Sequence, residues 1–522
     1  AWLSHWLPLE PLEMVLFLMA RGWLFYAVYR LAQAVVPGNR LAALGSMAAF
    51  ALIPQPMFAE GTIMVNIFEQ SSVAVPFVLL AVADFIERRY WRSALWLGIV
   101  ANLTVLYAVY LAIYLLGIVL TVPDFRREWR ALLAASVFAL LVASPVIALN
   151  LAHRYVPPAD VDLWYKVNRF RSWFHVFPLA FSVSAWASLL GAMVLIGFGR
   201  WMGGAVGPLR REFIRAWLWA IVVAVAGALV AAYGVKIPQL VSLQLAKAVD
   251  LLIAPGVVLA VSAWSSWLEE VLQRNDVVRS VVAGTLWSAS VTYWSWSAHP
   301  KVSLLLVGIV VLGVGAAFQL RLPQRGDRLR VGQQMIATAL GVALVAGCAR
   351  QVQTAGVRWR QAAASPQYPF AQWALQNTPK DAVFLVPPGM QEDWQSFRAI
   401  SRRGVFVTWK DGTHVLFDPR YTQEWVSRIA EIGFDIRKHE LRLRGSPPVN
   451  ETNINSLYFK LQDEDVARMA SRYRIDYWIV PVDKPSRFRE VFRHGKWKVL
   501  QVRTRVEREI IPTSQPRRDS HR

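Results

Sequence analysis

The sequence predicts a polytopic α-helical membrane protein that carries a soluble α/β domain in its C-terminal part. Hydrophobic residues make up 55% of the chain, and eleven apolar runs lie between about residues 12 and 349. Because about 20 apolar residues cross a bilayer as a helix, runs of this number and length are not those of a soluble protein. After about residue 350 the apolar runs stop, and short strand patterns alternate with helical ones, which is typical of an α/β domain.

The basic residues lie mainly in the loops between the apolar runs. The chain has a formal net charge of +21. Arginine-rich loops occur at residues 84–92, 123–130, 200–215, 268–279 and 321–330. The positive-inside rule places these five loops in the cytoplasm. Topology and anionic headgroups therefore account for the basic composition, and we expect no nucleic-acid partner.

The apolar run at residues 93–121 begins and ends on cytoplasmic loops, although it looks like one span. It is longer than the roughly 20 residues of a single crossing but too short for two. We therefore expect a hairpin of two short helices that turns between Asn102 and Thr104, with the polar turn facing a protein-lined cavity. The hairpin brings the count to about 12 membrane helices. It places the C-terminal domain and the N-terminus outside, which implies another helix before Ala1.

We expect three parts along the chain. Residues 1–350 form the membrane domain, residues 351–510 the external α/β domain, and residues 511–522 a basic disordered tail. Within the α/β domain, helices are expected at residues 369–376, 421–432 and 463–473, and strands at residues 382–386, 403–409, 476–480 and 496–502.

Residues 151–180 mix charged side chains with amphipathic aromatic ones. Arginine offers a planar, permanently charged fork for a diphosphate, and the candidate substrate-binding cations here are Arg154, Lys166, Arg169 and Arg171. His175 is a candidate proton donor or acceptor near neutral pH. The segment is expected either to roof a membrane cavity for a lipid-linked, phosphate-bearing substrate or only to anchor the protein at the lipid–water boundary.

Acidic residues supply the other candidates. Glu60 and Glu69 lie in an external loop without a basic residue, where each is either a base or cation ligand beside a phosphate, or a helix cap or solvated charge. Lys247 and Asp250 share a helix face at the outer edge of a span, as a local ion pair or as part of a cavity wall. The spacing of ligand-type residues identifies no metal, which stays unknown.

Four stretches carry a resemblance to a known family. They are QSSVAVPFVLLAVADFIERRYWRSALWLGIVANLTVLYAVY at 70–110, WYKVNRFRSWFHVFPLAF at 164–181, LVSLQLAKAVDLL at 240–252 and QWALQNTPKDAVFLVPP at 372–388. They resemble the GT-C superfamily of integral membrane glycosyltransferases, in an uncharacterised bacterial branch with a C-terminal α/β domain. The resemblance implies a multi-pass protein of the bacterial inner membrane whose C-terminal domain is periplasmic.

The resemblance also implies an activity. A sugar would be transferred from a polyprenyl-phosphate donor at the external face, with an acidic residue on the first external loop as base or metal ligand. That loop is expected before Ala1, and a divalent cation, Mg²⁺ or Mn²⁺, would serve an active enzyme. Asn102 and Thr104 in the hairpin turn are candidate substrate contacts.

The chain departs from the branch at three positions. Thr104 and Phe174 stand where histidines are usual, and Lys247 where an arginine is usual, whereas His175 keeps its place. The alternative function is therefore a catalytically inactive accessory or scaffold subunit of a larger membrane complex. The expected partners are membrane lipids, a polyprenyl-phosphate-linked sugar and other membrane protein subunits.

Overall fold

The computed structural model describes residues 9–52, 58–59, 70–152, 156–202, 206–274, 277–292, 307–308, 325–363, 365–389, 394, 396–440 and 451–503. The described residues form two compact units. The first lies within Ala1–Arg154 and Phe174–Val357, and the second within Tyr155–Trp173 and Arg358–Arg522. The segment at residues 155–173, which the sequence analysis placed in the membrane domain, therefore packs with the C-terminal part of the chain.

The first unit is helical throughout its described residues. Its helices are α1 (Leu9–Val35), α2 (Arg40–Leu52), α3 (Gln70–Ile86), α4 (Tyr90–Leu103), α5 (Val105–Thr121), α6 (Pro123–Arg126), α7 (Trp129–Val142), α8 (Ser144–Ala152), α10 (Trp173–Val176, whose first residue belongs to the second unit), α11 (Val183–Met202), α12 (Pro208–Leu229), α13 (Pro238–Ser242), α14 (Leu245–Gln273), α15 (Val277–Thr292) and α16 (Arg325–Ala363). Helix α14 lies at the centre, and nearly all of its residues up to Leu268 are buried.

The predicted hairpin is confirmed. Helix α4 ends at Leu103, Thr104 is extended (φ −154°, ψ 106°), and α5 begins at Val105. The chain doubles back at this point, because Arg88, just before α4, forms a 2.5 Å ion pair with Glu128, beyond α5. A continuous helix would hold these two residues tens of ångströms apart.

Several helices of the first unit have the length and composition of membrane spans. Four qualify within the described residues, Leu12–Val35, Pro208–Gly234, Pro238–Gln273 and Gln334–Thr354, and the bent pair α7–α8 would be a fifth. The helices α2, α3 and α5 are apolar but have only 13 to 17 residues, less than the roughly 20 of a full crossing. The chain is a multi-helix membrane protein, and the predicted count of about 12 spans is not reached by the described helices.

The loops between α1 and α2, α3 and α4, α5 and α7, and after α14 lie at one end of the first unit, which we call the arginine-rich end. Asp84, only 1% exposed, pairs there with Arg30 and Arg92 and accepts a 2.9 Å hydrogen bond from Trp96 Nε1. Asn39 donates to Glu269 at 2.7 Å. These contacts of the buried Asp84 and the half-buried Glu269 join the turns at this end, as expected for charges that are paired when they leave water.

The second unit contains a five-stranded mixed sheet. Its strands are β1 (Val383–Leu385), β2 (Gly404–Val405), β3 (Tyr477–Pro481), β4 (Arg489–His494) and β5 (Trp497–Gln501), in the order β2-β1-β3-β5-β4. Strand β1 pairs in parallel with β2 and β3, whereas β5 is antiparallel to β3 and β4. Its helices are α9 (Val161–Arg171), α17 (Gln367–Asn377), α18 (Phe397–Ser401), α19 (His414–Phe417), α20 (Tyr421–Glu431), α21 (Glu451–Tyr458) and α22 (Asp463–Tyr473).

The sequence located most of these elements but missed two features of the sheet. The strand expected at residues 403–409 covers only Gly404 and Val405, because the chain then turns and Asp411 Oδ2 accepts from the Thr408 amide at 2.8 Å. Strand β4 was not predicted, since its charged sequence REVFRH leaves most side chains exposed. It forms a hairpin with β5 at the edge of the sheet, where charged side chains are common.

Tyr458 connects α21 to the sheet. Its buried hydroxyl lies 2.6 Å from the carbonyl oxygen of Ile479 in β3 and 3.1 Å from that of Leu385 in β1. Burial raises the pKa of the Tyr458 hydroxyl well above its ordinary value. The group therefore stays protonated and donates to the two central strands.

Candidate functional site

Helix interruptions gather at the end of the first unit opposite the arginine-rich end. We call this the interrupted end; it comprises residues 102–104, 143, 230–234 and 243–244. Gln70, at the start of α3, donates to the carbonyl of Leu103, which places the beginning of α3 beside the hairpin turn. Each interruption frees main-chain groups, which lipid cannot satisfy, so such breaks occur where they face protein or a water-filled cavity.

Asn102 connects the hairpin turn to the next interruption. Its side-chain Nδ2 donates to the carbonyl oxygen of Gly98 at 2.9 Å and to that of Val142, the last residue of α7, at 2.8 Å. The side-chain nitrogen of Asn102, a predicted substrate contact, therefore already donates its hydrogen bonds to the main chain. Thr104 is the break itself, and its amide still donates to Val100 O at 2.7 Å.

The break between α7 and α8 was not predicted. The run at 130–150 was expected to be a single span, but the helix stops at Val142 and resumes at Ser144 with a bend of 61°. The sequence does contain a signal for it. Pro145 has no amide hydrogen for the carbonyl one turn earlier, and a proline disfavours helical geometry in the residue before it.

Two more interruptions lie in α12 and before α14. The end of α12 widens into a π-turn at Val230–Gly234, in which the Val235 amide donates to Val230 O at 3.0 Å. Gln244 separates α13 from α14 and is left-handed (φ 46°), which costs a non-glycine residue about 1 kcal/mol. Tyr110 of α5 donates to the carbonyls of Leu243 and Gln244, so the strained turn is held by the hairpin.

Asp250 is buried in the first turns of α14 and holds the loop that follows α2. Its carboxylate oxygens accept hydrogen bonds from the Ala59 amide at 3.2 and 3.3 Å. The neighbouring Phe58 packs edge-on against Phe181 and Trp186, with ring centroids 5.0 and 4.8 Å apart. Asp250 therefore fixes the main chain at Ala59, and Lys247 stands one helical turn before Asp250.

The remaining predicted site residues of the first unit are Glu60, Glu69, Arg154 and His175. Glu60, Glu69 and Arg154 lie outside the described residues, so their roles stay predictions. His175 lies in α10, with its ring centroid 4.1 Å from that of Phe174. Among the described residues, no three His, Cys, Asp or Glu side chains are grouped as a metal site. A cation at Glu60 and Glu69 therefore also stays a prediction.

The segment at residues 156–173 was expected to roof a membrane cavity or to lie at the lipid–water boundary, and its position relative to a membrane stays a prediction. The segment folds as helix α9, whose N-terminus is capped by Asp160, and packs within the second unit on the short helices around Trp409 to Phe417. Trp164 is fully buried, and its Nε1 donates to Val415 O at 2.8 Å. Trp164, Tyr165 and Phe170 of this segment are thus buried within the α/β unit.

The cations of α9 are bound within the same unit. Arg171 Nε donates to Trp409 O at 2.6 Å, and Lys166 Nζ donates to Arg437 O at 2.9 Å. Arg169 is only 1% exposed. These three side chains belong to the second unit, whereas Asn102, Thr104, His175, Lys247 and Asp250 belong to the first. Binding of a lipid-linked sugar donor by the three α9 side chains stays a prediction. The contacts of Lys166 and Arg171 that the structure shows hold α9 in the second unit.

Gly412 makes the close approach to α9 possible. A Cβ atom at this position would lie 2.7 Å from the Trp425 ring and 3.0 Å from Arg171 Cγ. The turn that carries Gly412 is fixed by Arg398, whose two terminal nitrogens contact Asp411 at 2.9 and 3.1 Å. Asp411, which is only 6% exposed, thus has a structural role in the described unit.

Together these features define a multi-helix membrane protein with interrupted helices at one end and an α/β unit. The model of a domain of unknown function, DUF6798, matches residues 367–432 of that unit. No curated protein matches the chain.

Two solved structures are similar to the chain at a low level. The crystal structure of ArnT from Cupriavidus metallidurans bound to undecaprenyl phosphate has a TM-score of 0.39 and 14% identity, over 94% of this chain and 84% of that chain. The apo state of the same protein gives a TM-score of 0.38 and 13% identity, over 94% of this chain and 83% of that chain. A likeness of this size assigns no activity.

Proposed function

We propose that the protein is a GT-C-like glycosyltransferase of the bacterial inner membrane that uses a polyprenyl-phosphate-linked sugar. The reaction takes place at the interrupted end, on the periplasmic side of the membrane. The gathering of four helix interruptions at one end, opposite the arginine-rich loops, supports this proposal. Membrane proteins use irregular backbone at such positions to bind polar or charged substrates.

The proposed chemistry uses the two glutamates that follow α2 in the chain. Glu60 or Glu69 takes the proton from an acceptor hydroxyl, whose oxygen forms the new bond to the anomeric carbon. The bond from that carbon to the phosphate oxygen breaks, and polyprenyl phosphate leaves. The Lys247 ammonium group would stabilise the negative charge of the leaving phosphate. A bound Mg²⁺ or Mn²⁺ would act as a further counter-charge beside the two carboxylates.

The second candidate is a non-catalytic accessory subunit with the same fold. The contacts of α9 favour it, because Lys166 and Arg171, two cations expected to grip a donor, bond to main-chain carbonyls of the α/β unit. The three departures from the family pattern, at Thr104, Phe174 and Lys247, point the same way.

A transfer assay separates the two candidates. The full chain in proteoliposomes, supplied with a decaprenyl-phosphate-linked radiolabelled hexose and a bacterial membrane extract, is expected to release decaprenyl phosphate and label an acceptor. Glu60→Gln or Glu69→Gln should lower the rate by about 100-fold or more, the usual contribution of a general base. Glu212→Gln, at an exposed ion pair with Arg215, is the matched control and should leave the rate unchanged.

A wild-type chain that releases no decaprenyl phosphate would contradict the enzyme and favour the accessory subunit. If both glutamate variants react as fast as the control, only the assignment of the general base is contradicted, and the enzyme activity is not.

A further inference from the structure

A groove opens on the side of the first unit at the arginine-rich end, away from the proposed catalytic end. It has a volume of about 340 Å³ and lies between α4, α5 and α7. Ala94, Leu97, Leu115, Leu132 and Ala135 are among its lining residues. The groove exists because the hairpin folds α5 back along α4 while α7 leans against α4.

The wall of this groove is apolar. Ser93 and Ser136 line it, but each hydroxyl donates to a main-chain carbonyl, of Ala81 and of Leu132, at 2.8 Å. Leu116 and Leu133, on the rim, are 57% and 58% exposed. An apolar slot of this kind beside lipid-facing leucines suits an acyl chain.

A second hollow of about 410 Å³ adjoins the groove and is basic. Arg88, Arg89 and Arg92 line it, with side chains 44%, 48% and 50% exposed. Glu128, which pairs with Arg88, also lines it. Tyr90 lines both cavities and so marks their junction. Trp91 lines the hollow and Trp129 lines the groove, and each is 55% exposed; tryptophans are common near headgroups.

Positive charge is in excess at this junction. Within residues 84–130 the carboxylates Asp84, Glu87, Asp124 and Glu128 are fewer than the arginines Arg88, Arg89, Arg92, Arg126, Arg127 and Arg130. Arginine forks bind phosphate oxygens in a bidentate manner. A phosphate over the hollow would therefore be neutralised while its hydrocarbon chain stays in the groove.

We propose that this groove and hollow form a binding site for one anionic phospholipid, with an acyl chain between α4, α5 and α7 and the phosphate on Arg88, Arg89 and Arg92. The bound lipid would fill the space inside the hairpin fold and hold the start of α4 near the end of α5. This site is independent of the proposed transferase reaction.

Native mass spectrometry of the detergent-solubilised full chain tests the site. Dioleoyl phosphatidylglycerol should bind more tightly than dioleoyl phosphatidylcholine. Arg88→Asn is the headgroup variant, because Arg88 has a left-handed φ of 60°, which asparagine tolerates. It should weaken phosphatidylglycerol binding about fivefold, the usual effect of one cation near a headgroup. Arg274→Gln removes another exposed arginine of this end and should change nothing.

A second pair of variants tests the part of the groove that would hold the acyl chain. Ala112 lines the groove, whereas its neighbour Ile113 is 52% exposed and does not. Ala112→Phe should weaken binding about tenfold by displacing a few methylene groups, and Ile113→Phe should have no effect. Equal binding of the two lipids, no loss in either test variant, or full competition by water-soluble glycerol phosphate would each overturn the proposal.

Discussion

Replacing Trp164 with alanine is expected to release α9 from the α/β unit. The change removes a fully buried indole and leaves Val415 O without its hydrogen bond. Loss of a buried tryptophan side chain costs about 3–5 kcal/mol. Arg169 and Arg171 are only 1% and 5% exposed, so trypsin reaches them only when α9 is released. Cleavage after these residues in the full chain should become at least about 100-fold faster.

Two variants control this experiment. Trp164→Phe keeps an aromatic ring in the core and loses mainly the hydrogen bond, so its effect should be about 1 kcal/mol. Trp91→Ala removes an indole that is 55% exposed and should leave trypsin cleavage in α9 unchanged. Slow cleavage in the Trp164→Ala protein, equal to that of the wild type, would contradict the role of Trp164 as the anchor of α9.

A methyl group at Gly98 is expected to force α4 and α7 apart. A Cβ atom at this position would lie 2.5 Å from Val142 Cβ and 3.0 Å from Ala139 O. Overpacking of this kind costs about 1–3 kcal/mol or more, and it would also strain the Asn102 bond to Val142 O. The unfolding free energy of Gly98→Ala in mixed micelles should fall by that amount.

Gly117 provides the matched control on the other helix of the hairpin. Nothing lies within 4 Å of a Cβ atom there, so Gly117→Ala should gain up to about 1 kcal/mol from helix propensity. Val142→Gly removes the closest atom and should recover part of the Gly98→Ala loss. A Gly98→Ala protein as stable as the wild type would contradict the packing of α4 on α7.

The sequence was sufficient for the hairpin and insufficient for α9. Basic loops on both sides of residues 93–121 required the chain to double back, and Thr104 lies within the turn that this argument predicted. The composition of residues 151–180 was ambiguous, because aromatic and cationic side chains suit both a headgroup layer and an amphipathic helix packed on a domain. The partners of Trp164 and Arg171 lie about 240 to 250 residues away, beyond any local pattern.

The roles of the candidate site residues were also only partly predictable from the sequence. Asp250 was singled out for its position at the edge of a span, but its contact with the Ala59 amide depends on how α14 packs against the loop after α2. Asn102 was assigned to substrate, and its bond to Val142 O depends on the break at Ala143, which only Pro145 indicates in the sequence. Side-chain roles that depend on pairs distant in the chain required the structure.

Binding of a polyprenyl phosphate at the interrupted end is the central feature of the proposed function. Its most direct test is photo-crosslinking of the full chain in proteoliposomes with a decaprenyl phosphate that carries a diazirine on the isoprene unit next to the phosphate. Peptide mapping is expected to find the adducts within residues 102–110 and 238–250. Adducts confined to residues 84–92 and 123–139, at the arginine-rich end, would contradict binding at the interrupted end.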